Sequence, residues 1–155
     1  MVVLLVHPQP PLLAVGTVAP SIVLKTPDGV SDDVIHSAGQ RPVAVEFFET
    51  TCPTCQQAAP SLCALQAMLP QAVIVGVNAA RESASAMKIY AQRYQGSNCD
   101  ITLLADPNGM VNQNYEITVV PTVYVIDKNG KIAYAGVGAQ GIDALKPVLQ
   151  RLAGG

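Results

Sequence analysis

Charge is what this chain has least of. Only 13% of its 155 residues are Asp, Glu, Lys or Arg, nine basic against eleven acidic, while half are hydrophobic. No basic face is available to neutralise phosphates, so nucleic acid is not an expected partner. An apolar core padded with Ala and Val accounts for the sparse charge, and so would a protein-facing or self-associating patch; oligomeric state stays open. Long hydrophobic runs are missing as well. The apolar stretch at residues 2–6 is five long, prolines follow it, and the first basic residue is Lys25. A secretory signal needs a basic start and about 7 to 15 apolar residues, and a membrane span about 20, so this start reads as neither. A leader removed upstream of Met1 would leave no mark on that reading, and compartment stays open. Repeats, charge runs and low-complexity tracts are absent. Four cysteines without regular spacing do not make a disulfide framework, and a domain of this size folds without one.

What is present is a pattern of alternating strands and helices. The Pro-rich residues 1–15 read as an arm, and 16–155 as one domain. An extended piece around Ile22 and Leu24 closes at an Asp28-Gly29 turn. The run 43–48 is apolar apart from Glu46, the pattern of a strand buried on both faces. A helix over 53–69 and a second buried strand at 72–78 complete a parallel strand-helix-strand unit. Residues 83–95 keep helical spacing, 101–106 supply a short strand, and one or two helical turns lead to Tyr115. Asn129-Gly130 between 122–127 and 131–136 signals a hairpin whose two central residues both take positive φ. Ile142, Leu145, Leu149 and Leu152 form one apolar stripe on a last helix, in which Pro147 predicts a kink or a late start. The expected class is α/β, a central mixed sheet flanked by helices, with an inserted helix and strand.

The chemistry concentrates in "EFFETTCPTCQQAAP" at 46–60. Cys52 falls at the end of a buried strand and Cys55 one turn into the next helix, where free N–H groups and the helix dipole favour a thiolate. Cys52 is the expected nucleophile. Pro53 suits the first helical position, and the three-residue step places Cys55 on the same face, within reach to close a disulfide. A structural zinc site would need four ligands, yet Cys63 lies eight residues past Cys55, about 12 Å along a helix. A copper site would want a histidine, and His7 and His36 both precede the pair. No metal and no cofactor are expected. Two inert buried thiols remain an alternative on spacing alone, and Cys63 and Cys99 read as buried small hydrophobes.

With these residues in hand, the stretch 16–152 resembles the thioredoxin superfamily. Glu46 stands six positions before Cys52, where thioredoxins carry an acid, and Pro60 stands five after Cys55, where they carry a helix proline. "VVPT" at 119–122 looks like the family's cis-proline loop, and Gly130 and Gly138 keep its spacing. The "GTVAP" opening, the insert between Asn78 and Tyr115, and "PTVYVIDKNGKI" look more like the TlpA/ResA-type branch, which is mostly extracytoplasmic. The chain departs from that branch at Ala58, where its reductants carry a glutamate, and at Glu46, where they usually carry asparagine. It departs from thioredoxin proper at Thr51, Phe48 and Gly76, the last standing where a lysine usually pairs with the buried acid.

The resemblance implies a thioredoxin-like fold and a thiol-disulfide oxidoreductase that reduces, or oxidises, protein disulfides through Cys52 and Cys55. It implies a cis Val120-Pro121 bond, with Val120 free to pair an extended substrate and Thr51, Pro53 and Thr54 at the contact surface. Its partners would be protein dithiols or disulfides and a reductase or membrane electron donor, in an extracytoplasmic compartment if a leader was removed and in the cytoplasm otherwise. Glu46, without a cation, should be raised in pKa by desolvation and relay a proton for Cys55; a glutamate turned to solvent is the other reading. Two alternatives stand beside this one. A peroxiredoxin-like peroxidase would need a proline and a threonine where Val45 and Glu49 stand; a non-catalytic docking module would need neither cysteine.

Overall fold

The structure, a computed structural model, describes residues 10–154. Its core is a five-stranded sheet of β3 (Val43–Phe48), β4 (Val73–Asn78), β5 (Thr102–Leu104), β6 (Thr122–Ile126) and β7 (Ile132–Val137), in the spatial order β5-β4-β3-β6-β7. β3, β4 and β5 are parallel, β6 is antiparallel to β3, and β7 is antiparallel to β6. All six residues of β3 are buried, as expected of a central strand covered on both faces.

Alternation along β3 divides the core in two. Ala44 and Phe48 face one cluster with Cys55, Leu62 and Leu65 of α2 (Pro53–Met68), Met87 and Tyr90 of α3 (Ala84–Tyr90), and Leu145 and Leu149 of α5 (Gly138–Ala153). Val43, Val45 and Phe47 face the other, with Ile22, Val34 of α1 (Val34–Ala38), and Val111 of α4 (Met110–Asn114) beside Tyr115. The mixed sheet with helices on both faces is therefore present, thioredoxin-like, with the insert as α3 and β5.

The N-terminal segment crosses the second face. Gly16 and Ala19 donate to the carbonyls of Ile132 and Gly130, Val18 bridges Lys131, and β1 (Val23–Lys25) reaches Ala105, just beyond β5, through Lys25. β1 pairs with β2 (Ser31–Asp33) in a separate hairpin around the expected turn, with Gly29 at φ 88°. Of the arm at 1–15, residues 1–9 lie outside the described residues. Leu12 and Leu13 pack on the second cluster, and Leu13 N–H donates to the Tyr124 hydroxyl at 3.1 Å.

Three local expectations are corrected. The 83–95 helix is α3, capped by Ser83, followed by a π-helical turn Ala91–Gln95 that ends at Gly96 with φ 78°. Only Gly130 of the Asn129-Gly130 pair has positive φ: the Asp127 carboxylate accepts from the N–H groups of Asn129 and Lys131, so the turn centres one residue earlier. α5 does not start late at Pro147. It begins at Gly138 and runs through Pro147, because Pro147 and Asp143, whose carbonyl loses its helix donor, both lie on the exposed side.

Candidate active site

β3 delivers the chain to the site, and α2 receives it. Cys52 is the N-cap of α2, with extended backbone (φ −78°, ψ 114°), and Pro53 follows at the start of the helix. Its sulfur accepts from the Cys55 N–H at 3.1 Å. Cys52 and Cys55 form a disulfide with Cα atoms 5.2 Å apart. Cys55 is fully buried, Cys52 is half-buried, and Thr51 and Pro53 beside it are exposed.

The loop before Cys52 is held by groups that the sequence reading passed over. Glu82 accepts from the Thr50 N–H at 2.8 Å, and the Thr50 hydroxyl donates to the other carboxylate oxygen. Asn78, at the end of β4 and buried, donates to Glu82 at 2.6 Å and accepts from the N–H groups of Ala80 and Glu82. Gln56 of α2 donates to the Thr50 carbonyl at 2.8 Å. Burial alone would raise the Glu82 carboxyl, but the bonds from Thr50 and Asn78 outweigh it and hold the group below the ordinary carboxylate value. No motif marks Glu82; the only signal is an acid four residues after a strand-end asparagine.

Glu46 lies on the α2 side of β3, between Ala44 and Phe48, opposite Gly76 of β4 and Val123 of β6. It is 5% exposed, and its Oε2 has no hydrogen-bond partner among the described residues. Desolvation raises its pKa to about 8. The space over Gly76 is filled: a Cβ there would sit 2.8 Å from Leu103 Cδ2 and 3.2 Å from Phe48 Cε1. The missing lysine is thus a steric consequence of packing, and the alternative of a glutamate turned to solvent is set aside.

Val120-Pro121 is cis. The Thr122 hydroxyl donates to the Val119 carbonyl at 2.7 Å, and Gly138 N–H to that of Pro121 at 2.8 Å, fixing the loop. Val120 and Cys52 both border the first core cluster, and beside Val120 an open recess of about 510 Å³ is lined by Glu49, Ala79, Ile117, Thr118, Val119 and Val120.

Cys63 and Cys99 are not separate buried thiols. They form a second disulfide, Cα atoms 5.1 Å apart, between the middle of α2 and the segment before β5. Cys63 lies too far along α2 to meet Cys55, and it meets Cys99 only because the insert folds back onto α2.

The comparisons agree with this architecture. The Redoxin family model matches residues 14–149. The Bacillus subtilis (strain 168) "Thioredoxin-like protein YneN" is 30% identical over 128 residues, 79% of this chain and 71% of that protein. A "Thiol:disulfide interchange protein DsbE homolog" of Paracoccus denitrificans (strain Pd 1222) is 28% identical over 131 residues, 83% and 69% respectively. The crystal structure of a putative thiol:disulfide interchange protein DsbE from Chlorobium tepidum superposes with a TM-score of 0.77 at 27% identity, covering 91% of this chain and 99% of that one. The chain belongs to the Redoxin family, with a thioredoxin-like fold and the paired cysteines of a thiol-disulfide oxidoreductase.

Proposed function

We propose that the protein catalyses thiol-disulfide interchange on protein substrates, with Cys52 as nucleophile and Cys55 as resolving cysteine. The asymmetry of the pair carries this reading: Cys52 is half-buried at a helix N-cap with an N–H on its sulfur, whereas Cys55 is fully buried. In the reducing direction the Cys52 thiolate attacks one sulfur of a substrate disulfide, and the other substrate sulfur leaves as a thiolate. Cys55 then loses its proton and attacks Cys52 Sγ, closing the Cys52–Cys55 disulfide and releasing the second substrate sulfur. Two electrons pass from the protein dithiol to the substrate; the same steps reversed oxidise a substrate dithiol.

Glu46 is the proton acceptor for Cys55 in this scheme. Its raised value of about 8 lies near that of an ordinary thiol, about 8.5, so transfer between them is nearly balanced. Val120 offers its backbone to an extended substrate segment, the adjoining recess takes the side chains, and Thr51, Pro53 and Thr54 form the surface around the sulfur. Partners are protein disulfides or dithiols, and a reductase or membrane electron donor that resets the couple. An extracytoplasmic site of action is supported by the interchange-protein relatives and by a second disulfide of structural type.

A trapping experiment tests the reading. Reduced Cys55→Ser mixed with a disulfide-bonded protein such as insulin should accumulate a mixed disulfide through Cys52, and Cys52→Ser should give none. Absence of any adduct with Cys55→Ser, under conditions where thioredoxin lacking its second cysteine forms one, would sink it. The equilibrium of the wild-type couple with glutathione then decides between reductant and oxidant.

A further inference from the structure

Tyr90 ends α3, and its ring lies between Phe48 of β3, with centroids 4.9 Å apart, and Tyr94 of the π-helical turn, 5.2 Å away. The residue is 3% exposed. A phenylalanine would serve such packing equally well, and a hydroxyl buried this deeply is costly unless it finds a partner. Its partner is the carbonyl oxygen of Cys55, 3.1 Å away and 35 positions distant in sequence. Cys55 is the residue whose N–H donates to Cys52 Sγ. One residue is thus engaged at both ends, its amide on the outer sulfur and its carbonyl on a tyrosine supplied by the insert.

We infer that Tyr90 is a positioning residue for the Cys52–Cys55 couple: by holding the Cys55 carbonyl it keeps the Cys55 amide aimed at Cys52 Sγ and so favours the Cys52 thiolate. The groups that face the phenol are Glu46 from β3 and Tyr94 from the π-helical turn; burial first, and then these two, push its pKa above the ordinary tyrosine value. The hydroxyl therefore stays a neutral donor through the working range and takes no part in proton transfer. The backbone before Cys52 is held separately, Cys52 N–H donating to the Glu49 carbonyl and Thr50 N–H to the Glu82 carboxylate. Neither is touched by a change at Tyr90.

The role of Tyr90 gains its meaning from the interchange reading, but its effect on Cys52 is measurable without it. Tyr90→Phe keeps the ring against Phe48 and removes only the hydroxyl. Both proteins are reduced mildly enough to leave Cys63–Cys99 closed, as verified by mass, and Cys52 alkylation by iodoacetamide is followed against pH. The variant's profile should shift to higher pH, with a thiolate fraction about two- to tenfold lower below the midpoint, the effect of one neutral hydrogen bond. The equilibrium with glutathione should move toward the disulfide by a similar factor. A merely structural tyrosine would lower the thermal midpoint and leave the alkylation profile where it was; superimposable profiles overturn the inference whatever happens to the midpoint. If the wild-type protein exchanges with neither glutathione nor insulin, the proposed function fails, and the alkylation comparison still decides the role of Tyr90.

Discussion

Two disulfides leave the same helix with nearly the same Cα separation, 5.2 Å for Cys52–Cys55 and 5.1 Å for Cys63–Cys99, yet their surroundings give them opposite characters. The first spans three residues and sits where the helix begins, with an amide on its outer sulfur and a buried acid on the same face of the sheet. The second spans 36 residues and joins the middle of α2 to an irregular segment. A short loop restricts the unfolded chain little, whereas a long one restricts it strongly. The bond is chemically identical; what differs is whether opening it exposes a stabilised thiolate or only frees a chain.

The largest expected effect therefore belongs to the long-range bond. Cys63→Ser combined with Cys99→Ser should cost about 4 kcal/mol by the loop-entropy relation, or roughly 8 to 16 °C in thermal midpoint, with insulin reduction at 25 °C largely kept. A loss of activity without a loss of stability would invert the assignment of the two bonds. The same contrast should appear in graded reduction: Cys52–Cys55 opens first, followed by mass after alkylation, and Cys63–Cys99 opens only at more reducing potentials.

Next in size is Glu46. Its folded pKa of about 8 lies above the ordinary 4.5, so the folded protein holds a proton that the unfolded chain releases. Its contribution is fully present below about pH 4.5 and is lost as pH rises to about 8. Wild-type urea midpoints should fall across that window, and Glu46→Gln should flatten the slope, gaining on the order of 3 kcal/mol at pH 7. The cost is kinetic: resolution by Cys55 should speed up in the wild type as pH passes 8 and lose about tenfold or more in the variant. Equal rates in both would remove the relay role.

The smallest effect is expected at Glu82. Glu82→Ala leaves the Thr50 N–H and the buried Asn78 amide without acceptors and should cost about 1 to 3 kcal/mol at pH 7. Because the Glu82 carboxyl is lowered, its wild-type contribution is present at neutral pH and fades on acidification below the ordinary carboxylate range. The first attack by Cys52 should slow only a few-fold.

How much of this could be read from residues alone depends on distance along the chain. Cys52, Cys55 and Glu46 share one strand and one helix, so spacing fixes their relation, and the strand pattern of 43–48 already places Glu46 in the interior. The cis bond at Pro121 was legible through resemblance, not through composition. Cys99, Tyr90 and Glu82 belong to the insert or its approach, and what they touch depends on how that segment docks. Tyr90 looks like one more apolar position in a helical stripe; only the fold brings its hydroxyl to Cys55. Gly76 was legible as a missing lysine, but the reason, Leu103 and Phe48 occupying the space, is a matter of packing. The turn at Asp127 and the uninterrupted α5 show the same limit locally: side-chain bonds and solvent exposure overrode the usual meaning of Asn-Gly and of a helix proline.

The N-terminal segment has a consequence of its own. Between Gly16 and Lys25 it pairs with the start of β7 at one border of the sheet and with Ala105, beyond β5, at the other. Open sheet borders invite indiscriminate pairing with foreign chains, a particular hazard for a protein whose proposed work is to meet partly unfolded ones. A belt made from its own chain ties down one end of each border, at Ile132 and at Ala105, and so narrows the edge left open to pairing.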